Sequence, residues 1–134
     1  LNSKCQIQFP NLIFRDKNKV MQDNDERDLG VQPLNRMMDE WGVGNHDLVE
    51  VSTEQLTHKQ VQKARKGRRL SLKMMQKVTR AFNVAIWYRL SDEQKESYYE
   101  YMHRDLFNYA KGYDENWEDP NQALQQELHS QSDQ

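Results

Sequence analysis

The sequence predicts an all-α protein, with a compact domain of four to five short helices and flexible termini. Between positions 33 and 90, apolar residues recur at intervals of three and four, the spacing of one helix face. Residues that favour helix starts and glycines that favour helix ends border these patterns. At 134 residues, with 36 % hydrophobic and 30 % charged residues, the chain has the length of one domain with a small core.

Two short helices open the predicted domain, which spans residues 33–90. Pro33 is a favoured first helical residue, and Gly42 and Gly44 are expected to end the first helix. Its apolar face consists of Leu34, Met37, Met38 and Trp41. Asn45 is the predicted N-cap of the second helix, which turns Leu48 and Val49 inward.

The third and fourth helices carry clearer boundary signals. Thr57 and Gln60 have the spacing of a capping box, and Gly67 is the expected stop of the third helix. Ser71 is the predicted N-cap of the fourth helix, and Asn83 its expected end. The inward residues are Val61 and Ala64 on the third helix, and Leu72, Met75, Val78, Ala81 and Phe82 on the fourth.

The flanks are predicted to differ from this domain. Residues 1–32 are expected to form a flexible segment in which Met21, before an acidic stretch, is a hypothetical natural start. A capping box at Ser91 and Gln94 predicts a helix over 91–112, and its stripe of tyrosine and methionine makes it the candidate dimerisation element. Residues 113–134, which are acidic and rich in Gln and Ser, are predicted to be a disordered tail.

The positive charges are concentrated in one part of the chain. No acidic residue occurs between Thr57 and Ser91, a stretch that contains ten lysines and arginines. The formal net charge of the whole chain is −2, so the rest of the chain must carry −12. Such a block indicates a polyanion partner at one face, with a solvated face neutralised by acidic neighbours as the alternative.

The composition also argues against several classes of protein. A single cysteine, Cys5, cannot form a disulfide within the chain, and the four histidines lack the spacing of metal ligands. No apolar run approaches the ~18 residues of a membrane span. No nucleophile–base pair, phosphate-binding glycine loop or carboxylate pair stands out. We therefore expect a cytoplasmic protein (nucleoid-associated in a bacterium) that is not an enzyme and uses no cofactor, metal, membrane or small-molecule substrate.

One segment follows the residue spacing of a known family. The residues that carry the match are Leu56, Thr57, Val61, Ala64 and Gly67, followed by Ser71, Leu72, Met75, Val78, Ala81, Phe82 and Val84. Their pattern resembles the Cro and lambda-repressor-like (Xre-type) helix-turn-helix family over residues 34–84. Two departures are a longer turn through Glu54 and Gln55, and Ser52 where a leucine-like core residue is expected. The resemblance implies a lambda-repressor-like domain whose third helix enters the major groove of DNA.

The third helix presents a wide polar face opposite its apolar residues. At about 100° per residue, an arc of about 140° contains His58, Gln62, Lys66, Lys59 and Lys63, with Arg65 at its border. The resemblance implies base contacts from the first turns of the helix, through His58, Lys59, Gln62 and Lys63. It implies phosphate contacts from Thr57, Arg65, Lys66, Arg68, Arg69, Lys73 and Lys77.

The predicted function is sequence-specific binding of double-stranded DNA by a transcriptional regulator. A homodimer is expected, because one such helix reads few base pairs and a second half-site adds specificity. The main alternative is a protein-interaction module, such as a coactivator bridge or an antitoxin-like partner, that keeps the fold without a DNA target. RNA binding is a third alternative, which the basic block permits.

Overall fold

The structure, a computed structural model, describes residues 28–132 and the short segments Asn2–Ser3 and Cys5–Gln6. These segments, β1 (Asn2–Ser3) and β2 (Cys5–Gln6), pair in antiparallel fashion with Asn2 opposite Gln6. The helices are α1 (Pro33–Trp41), α2 (Asn45–Val51), α3 (His58–Lys66), α4 (Leu72–Trp87), α5 (Asp92–Ser97), α6 (His103–Leu106) and α7 (Gln122–Ser132). The all-α class is thus confirmed for residues 28–132. The hypothesis about Met21 concerns a residue outside the described part.

Most of the predicted helix boundaries are confirmed. The Thr57 hydroxyl accepts a hydrogen bond from the Gln60 amide at 3.1 Å, and the Gln60 side chain accepts one from the Thr57 amide. The Ser71 hydroxyl accepts from the Met74 amide and begins α4. Gly42 ends α1 in the left-handed conformation. None of the described helices is long and apolar enough to cross a membrane.

The predicted apolar faces form the core of the domain. The fully or almost fully buried residues on the first four helices include Leu34, Met37, Met38, Trp41, Leu48, Val61, Ala64, Met75, Val78, Ala81 and Phe82. Two of the predicted core residues differ: Leu72 is 54 % exposed at the start of α4, and Val49 of α2 is only partly buried. The amphipathic pattern therefore located the inward faces of α1, α3 and α4.

Asn83 does not end α4, because the helix continues to Trp87. Its buried side-chain nitrogen donates to the carbonyl oxygens of Thr79 and Tyr101, and its oxygen accepts from the Tyr101 amide and the Tyr98 hydroxyl. Three of these four partners belong to Tyr98 and Tyr101, which lie outside α4. Asn83 instead anchors the chain segment that follows α5.

The predicted single helix over residues 91–112 is wrong. The capping box at Ser91 and Gln94 is present, but α5 ends at Ser97 and residues 98–102 run on outside any helix. Asn83 binds the backbone of Tyr101, and Asn121 binds that of Tyr99, so side chains replace the partners a helix would supply. Tyr101 is 1 % exposed and lies in the core, Tyr98 and Tyr109 are partly buried against it, and Met102 of the same stripe is 42 % exposed.

The prediction of a disordered tail is wrong for residues 113–130. Asn121 is buried, and Leu124 of α7 belongs to the core. Trp117 packs edge-on against Tyr101, with ring centres 6.1 Å apart. Asp119 accepts a hydrogen bond of 2.8 Å from the Tyr101 hydroxyl. The polar residues of this segment bind the domain, where composition suggested that they only solvate the chain.

The ordered domain also begins before Pro33. The amide of Leu29 donates to the Gly67 carbonyl at 2.8 Å, and that of Gln32 donates to the Arg65 carbonyl at 3.0 Å. Gln32 is buried, and its side-chain oxygen accepts from the Asn108 amide. Residues 28–32, predicted as part of the flexible segment 1–32, therefore lie along the C-terminal end of α3.

Candidate nucleic-acid interface

α2 and α3 are joined by a turn over residues 52–57 that the sequence marked as unusually long. Gln55 adopts the left-handed conformation, with φ of +59°, which is the only positive φ of a non-glycine residue in the described chain. The Ser52 hydroxyl accepts from the Glu54 amide, so Ser52 serves the turn. Leu56, 4 % exposed, places the next apolar side chain in the core before α3 begins.

The exposed side of α3 forms one wall of an open groove of about 610 Å³. All four predicted base-contact residues line it: His58, Lys59, Gln62 and Lys63. The other lining residues are Lys66, Arg68, Asn45 and Asp28. His58 also stacks on His46 of α2, with ring centres 6.0 Å apart and planes at 24°. The structure thus brings the predicted base-contact residues together on one accessible surface.

Three of the ten cations in the acid-free stretch are paired within the protein. Arg65 lies 3.2 Å from an Asp39 carboxylate oxygen, Arg80 lies 2.6 Å from Glu54, and Arg89 lies 3.1 Å from Asp47. Within residues 28–130 the other seven have no salt bridge: Lys59, Lys63, Lys66, Arg68, Arg69, Lys73 and Lys77. Among the described residues, acidic neighbours therefore form no salt bridge to these seven cations.

Arg65 was predicted to contact phosphate, but the structure directs its side chain elsewhere. Its side chain is only 17 % exposed and points back into the domain. The guanidinium donates to the side-chain oxygens of Asn35 at 2.7 Å, Asn45 at 2.7 Å and Asp39 at 3.2 Å. Three of its five N–H donors are directed at α1 and at the start of α2, so Arg65 holds α3 in place and does not line the groove.

Arg65 also determines how Gln62 is presented at the groove. Because arginine only donates hydrogen bonds, the atom of Asn45 that faces it is the oxygen. The nitrogen of Asn45 therefore faces Gln62, and it donates to the Gln62 side-chain oxygen at 2.9 Å. The Gln62 nitrogen, which makes no hydrogen bond to any described residue, is left as an outward donor. The prediction that Asn45 caps α2 is wrong, since Gly44 holds the N-cap position.

The basic loop after α3 is held from two sides. The backbones of Arg68 and Asp28 pair in an isolated antiparallel β-bridge, and Asp28 belongs to the segment that runs along the end of α3. The Tyr109 hydroxyl accepts from the Leu70 amide at 3.0 Å, and its ring lies 5.4 Å from the guanidinium carbon of Arg69. Burial raises the pKa of Tyr109, so the hydroxyl keeps its proton at neutral pH. Arg68 and Arg69 remain exposed on this fixed loop.

The remaining predicted phosphate contacts lie outside the groove. Thr57 is exposed and caps α3. Lys73 and Lys77 lie on α4, near enough to Glu54 to contribute to its lowered pKa, which is due first to the hydrogen bond from Arg80. These lysines therefore extend the positive surface along α4, beside one acidic residue of the turn.

Sequence reasoning missed three residues that shape this surface. Asn45 orients Gln62, Tyr109 fixes the basic loop, and Asp28 adds a carboxylate to the groove. Each acts on a residue 17 to 40 positions away, as in the separation of 39 between Leu70 and Tyr109. No periodic pattern within a single helix reports such contacts.

Comparison of the chain with protein-family models, curated proteins and solved structures gave no match. The helix-turn-helix resemblance thus depends on the residue pattern of the chain itself.

Proposed function

We propose that this protein binds double-stranded DNA through the exposed face of α3, as a transcriptional regulator of the helix-turn-helix type. The observation that carries the proposal is the groove in which His58, Lys59, Gln62 and Lys63 lie side by side. An α-helix with its long polar side chains on one face fits the width of the major groove. Lysine can donate to guanine O6 and N7, and glutamine can pair with adenine.

The surrounding charges support a polyanion as the partner. Seven cations without a salt bridge in residues 28–130 surround or extend this face. Arg68 and Arg69 stand on a loop that Tyr109 holds in place, so little order must be gained when they meet a phosphate backbone. A protein-interaction module would not need so many uncompensated positive charges on one face.

The proposal is tested by selecting bound sequences from random double-stranded DNA, followed by binding measurements over a range of salt concentrations. Lys59→Ala and Lys63→Ala are expected to weaken binding to the selected sequence by about 1–3 kcal/mol each, and to weaken binding to random DNA much less. Arg68→Ala and Arg69→Ala are expected to weaken binding to any DNA. Each should lower the slope of log K against log salt by about 0.9.

Lys111→Ala is the matched control, since it removes one positive charge from an exposed residue that does not line the groove. It should leave affinity and salt slope close to those of the unmodified protein. No retention of DNA at low salt would overturn the proposal and favour the protein-interaction module. Equal losses for Lys63→Ala and Lys111→Ala would show that only the total charge matters. Preference for duplex RNA over DNA of the same sequence would favour the third alternative.

A further inference from the structure

The last turns of α4 expose apolar side chains. Val84 is 36 % exposed, Trp87 41 % and Tyr88, directly after the helix, 73 %. Val84 and Trp87 line a groove of about 450 Å³ together with Asn83, Lys95, Tyr98 and Glu100. Clustered exposed apolar residues of this kind mark interaction surfaces more often than isolated ones do.

The groove carries opposite charges at its two ends. Lys95 lies over the Trp87 ring, with its nitrogen 5.3 Å from the ring centre. Glu100 lies at the other end, near Asn83, because it also lines the adjoining cavity that contains Thr79. Asn83 and Trp87 are four residues apart on α4, which is about 6 Å along the helix axis. Val84 lies between the two charges on the same helix.

We propose that this groove binds a second copy of the chain, with the two α4 helices antiparallel about a two-fold axis near Val84. A two-fold interface brings the same patch of both copies together. Since the patch has a positive and a negative end, the axis places Lys95 opposite the partner's Glu100, and Glu100 opposite the partner's Lys95. The apolar centre would pack Val84 and Trp87 against their counterparts, and both ion pairs would form at once.

The second copy accounts for the charge pattern better than an unrelated partner does. Glu100 has no salt bridge within residues 28–130, and Lys95 has only a long contact of 3.9 Å to Asp92. One positive and one negative end on either side of an apolar centre is the self-complementary arrangement that a two-fold dimer requires. This inference goes beyond DNA binding and does not depend on it, because the two grooves share no lining residue.

The test is sedimentation equilibrium without DNA, on the full chain, at concentrations from about 1 to 500 µM, a range that covers weak interfaces. The unmodified protein is expected to form dimers. Lys95→Glu places two like-charged pairs in the dimer, as does Glu100→Lys, and each variant alone should dimerise at least about tenfold more weakly. An equal mixture of the two variants should restore the dimer, because both pairs are then of opposite charge.

Two charge reversals outside the groove serve as matched controls: Lys111→Glu for Lys95→Glu, and Glu115→Lys for Glu100→Lys. They should leave the dimer unchanged. Val84→Lys provides an independent variant, because a charge at the apolar centre of a two-fold interface should abolish the dimer. Circular dichroism establishes that each variant is folded.

Three outcomes would overturn the inference. The unmodified protein could remain monomeric throughout the concentration range, or the groove variants could behave like their controls. The mixture could also form no more dimer than either variant alone. None of these outcomes bears on DNA binding, which is measured separately through the variants of α3.

Discussion

Gly67, at the end of α3, packs against the backbone of Gly30 in the segment before α1. Replacement of Gly67 by alanine is the sharpest test of that contact. Its φ is +104°, in the region that glycine adopts without steric cost. A Cβ at this position would lie 1.7 Å from the carbonyl oxygen of Gly30 and 2.7 Å from its nitrogen. These are backbone atoms, so a side-chain rotation cannot relieve the overlap.

The cost of Gly67→Ala has two parts. The left-handed conformation costs an L-residue about 1–2 kcal/mol. Relief of the overlap requires the segment 28–32 to move, which breaks the hydrogen bonds from Leu29 to Gly67 and from Gln32 to Arg65. Each of these bonds contributes about 1 kcal/mol. We therefore expect a loss of about 3–4 kcal/mol in the free energy of unfolding.

Gly42→Ala is the matched control, because Gly42 also has a positive φ, +69°, and ends α1, but a Cβ there meets nothing within 4 Å. The free energy of unfolding of this variant should fall only by the cost of the left-handed conformation, about 1–2 kcal/mol. Urea unfolding of both variants, followed by circular dichroism, measures the difference, which should be about 2 kcal/mol. Equal losses for the two variants would show that residues 28–32 do not rest on the end of α3.

Three further predictions concern side chains with defined partners. Asn83→Leu should lower the free energy of unfolding by about 3 kcal/mol or more, measured in urea, because it leaves several buried polar groups without partners. The Arg80 hydrogen bond lowers the pKa of Glu54. The Glu54–Arg80 pair should therefore stabilise the fold above pH 4.5, the ordinary pKa of a glutamate, and this stabilisation should be lost as the pH falls through the lowered pKa. Arg80→Ala should return the pKa of Glu54 toward 4.5, as measured by an NMR titration. Asn45→Asp should turn the Gln62 amide around and change the sequence selected from random DNA at one position, whereas an unchanged selection would contradict the orienting role of Asn45.

The four helices of the domain could be predicted because their signals are local. Thr57, Gln60 and Gly67 lie within eleven residues of one another and fix both ends of α3 through its own backbone. The inward face of each helix follows from a period of 3.6 residues, which requires no knowledge of the partner. Leu72 shows the limit of that argument, since it has the right phase on α4 but lies beyond the reach of the core.

The C-terminal half could not be predicted in the same way, because its order depends on distant polar side chains. Residues 98–102 have composition compatible with a helix, yet Asn83 and Asn121 supply backbone partners that favour a non-helical course. Composition counts Asn121 and Gln125 as solvating residues. Both are buried, and Gln125 donates to Asp119 at 3.0 Å.

In the candidate site, too, the features that depend on local sequence could be predicted and those that depend on distant partners could not. The helix period alone places His58, Lys59, Gln62 and Lys63 on one face, and they do share a groove. Arg65 has almost the same sequence environment as Lys66, yet its partners on α1 and α2 lie 20 to 30 residues away. Charge counts therefore overstate the free cations of a helix wherever an arginine can reach back to neighbouring helices.

The same contacts bear on specificity, because the position of Gln62 and the atom it presents have different origins. Its position follows from the period of α3, whereas its orientation follows from Asn45, whose own orientation follows from the donor-only guanidinium of Arg65. A glutamine free to rotate could present its donor or its acceptor to a base edge. If the protein binds DNA as proposed, the outward donor of Gln62 would favour bases with an acceptor in the major groove, such as N7 of a purine. Asn45 and Arg65 would thereby contribute to base selection without making a base contact themselves, by orienting the Gln62 amide.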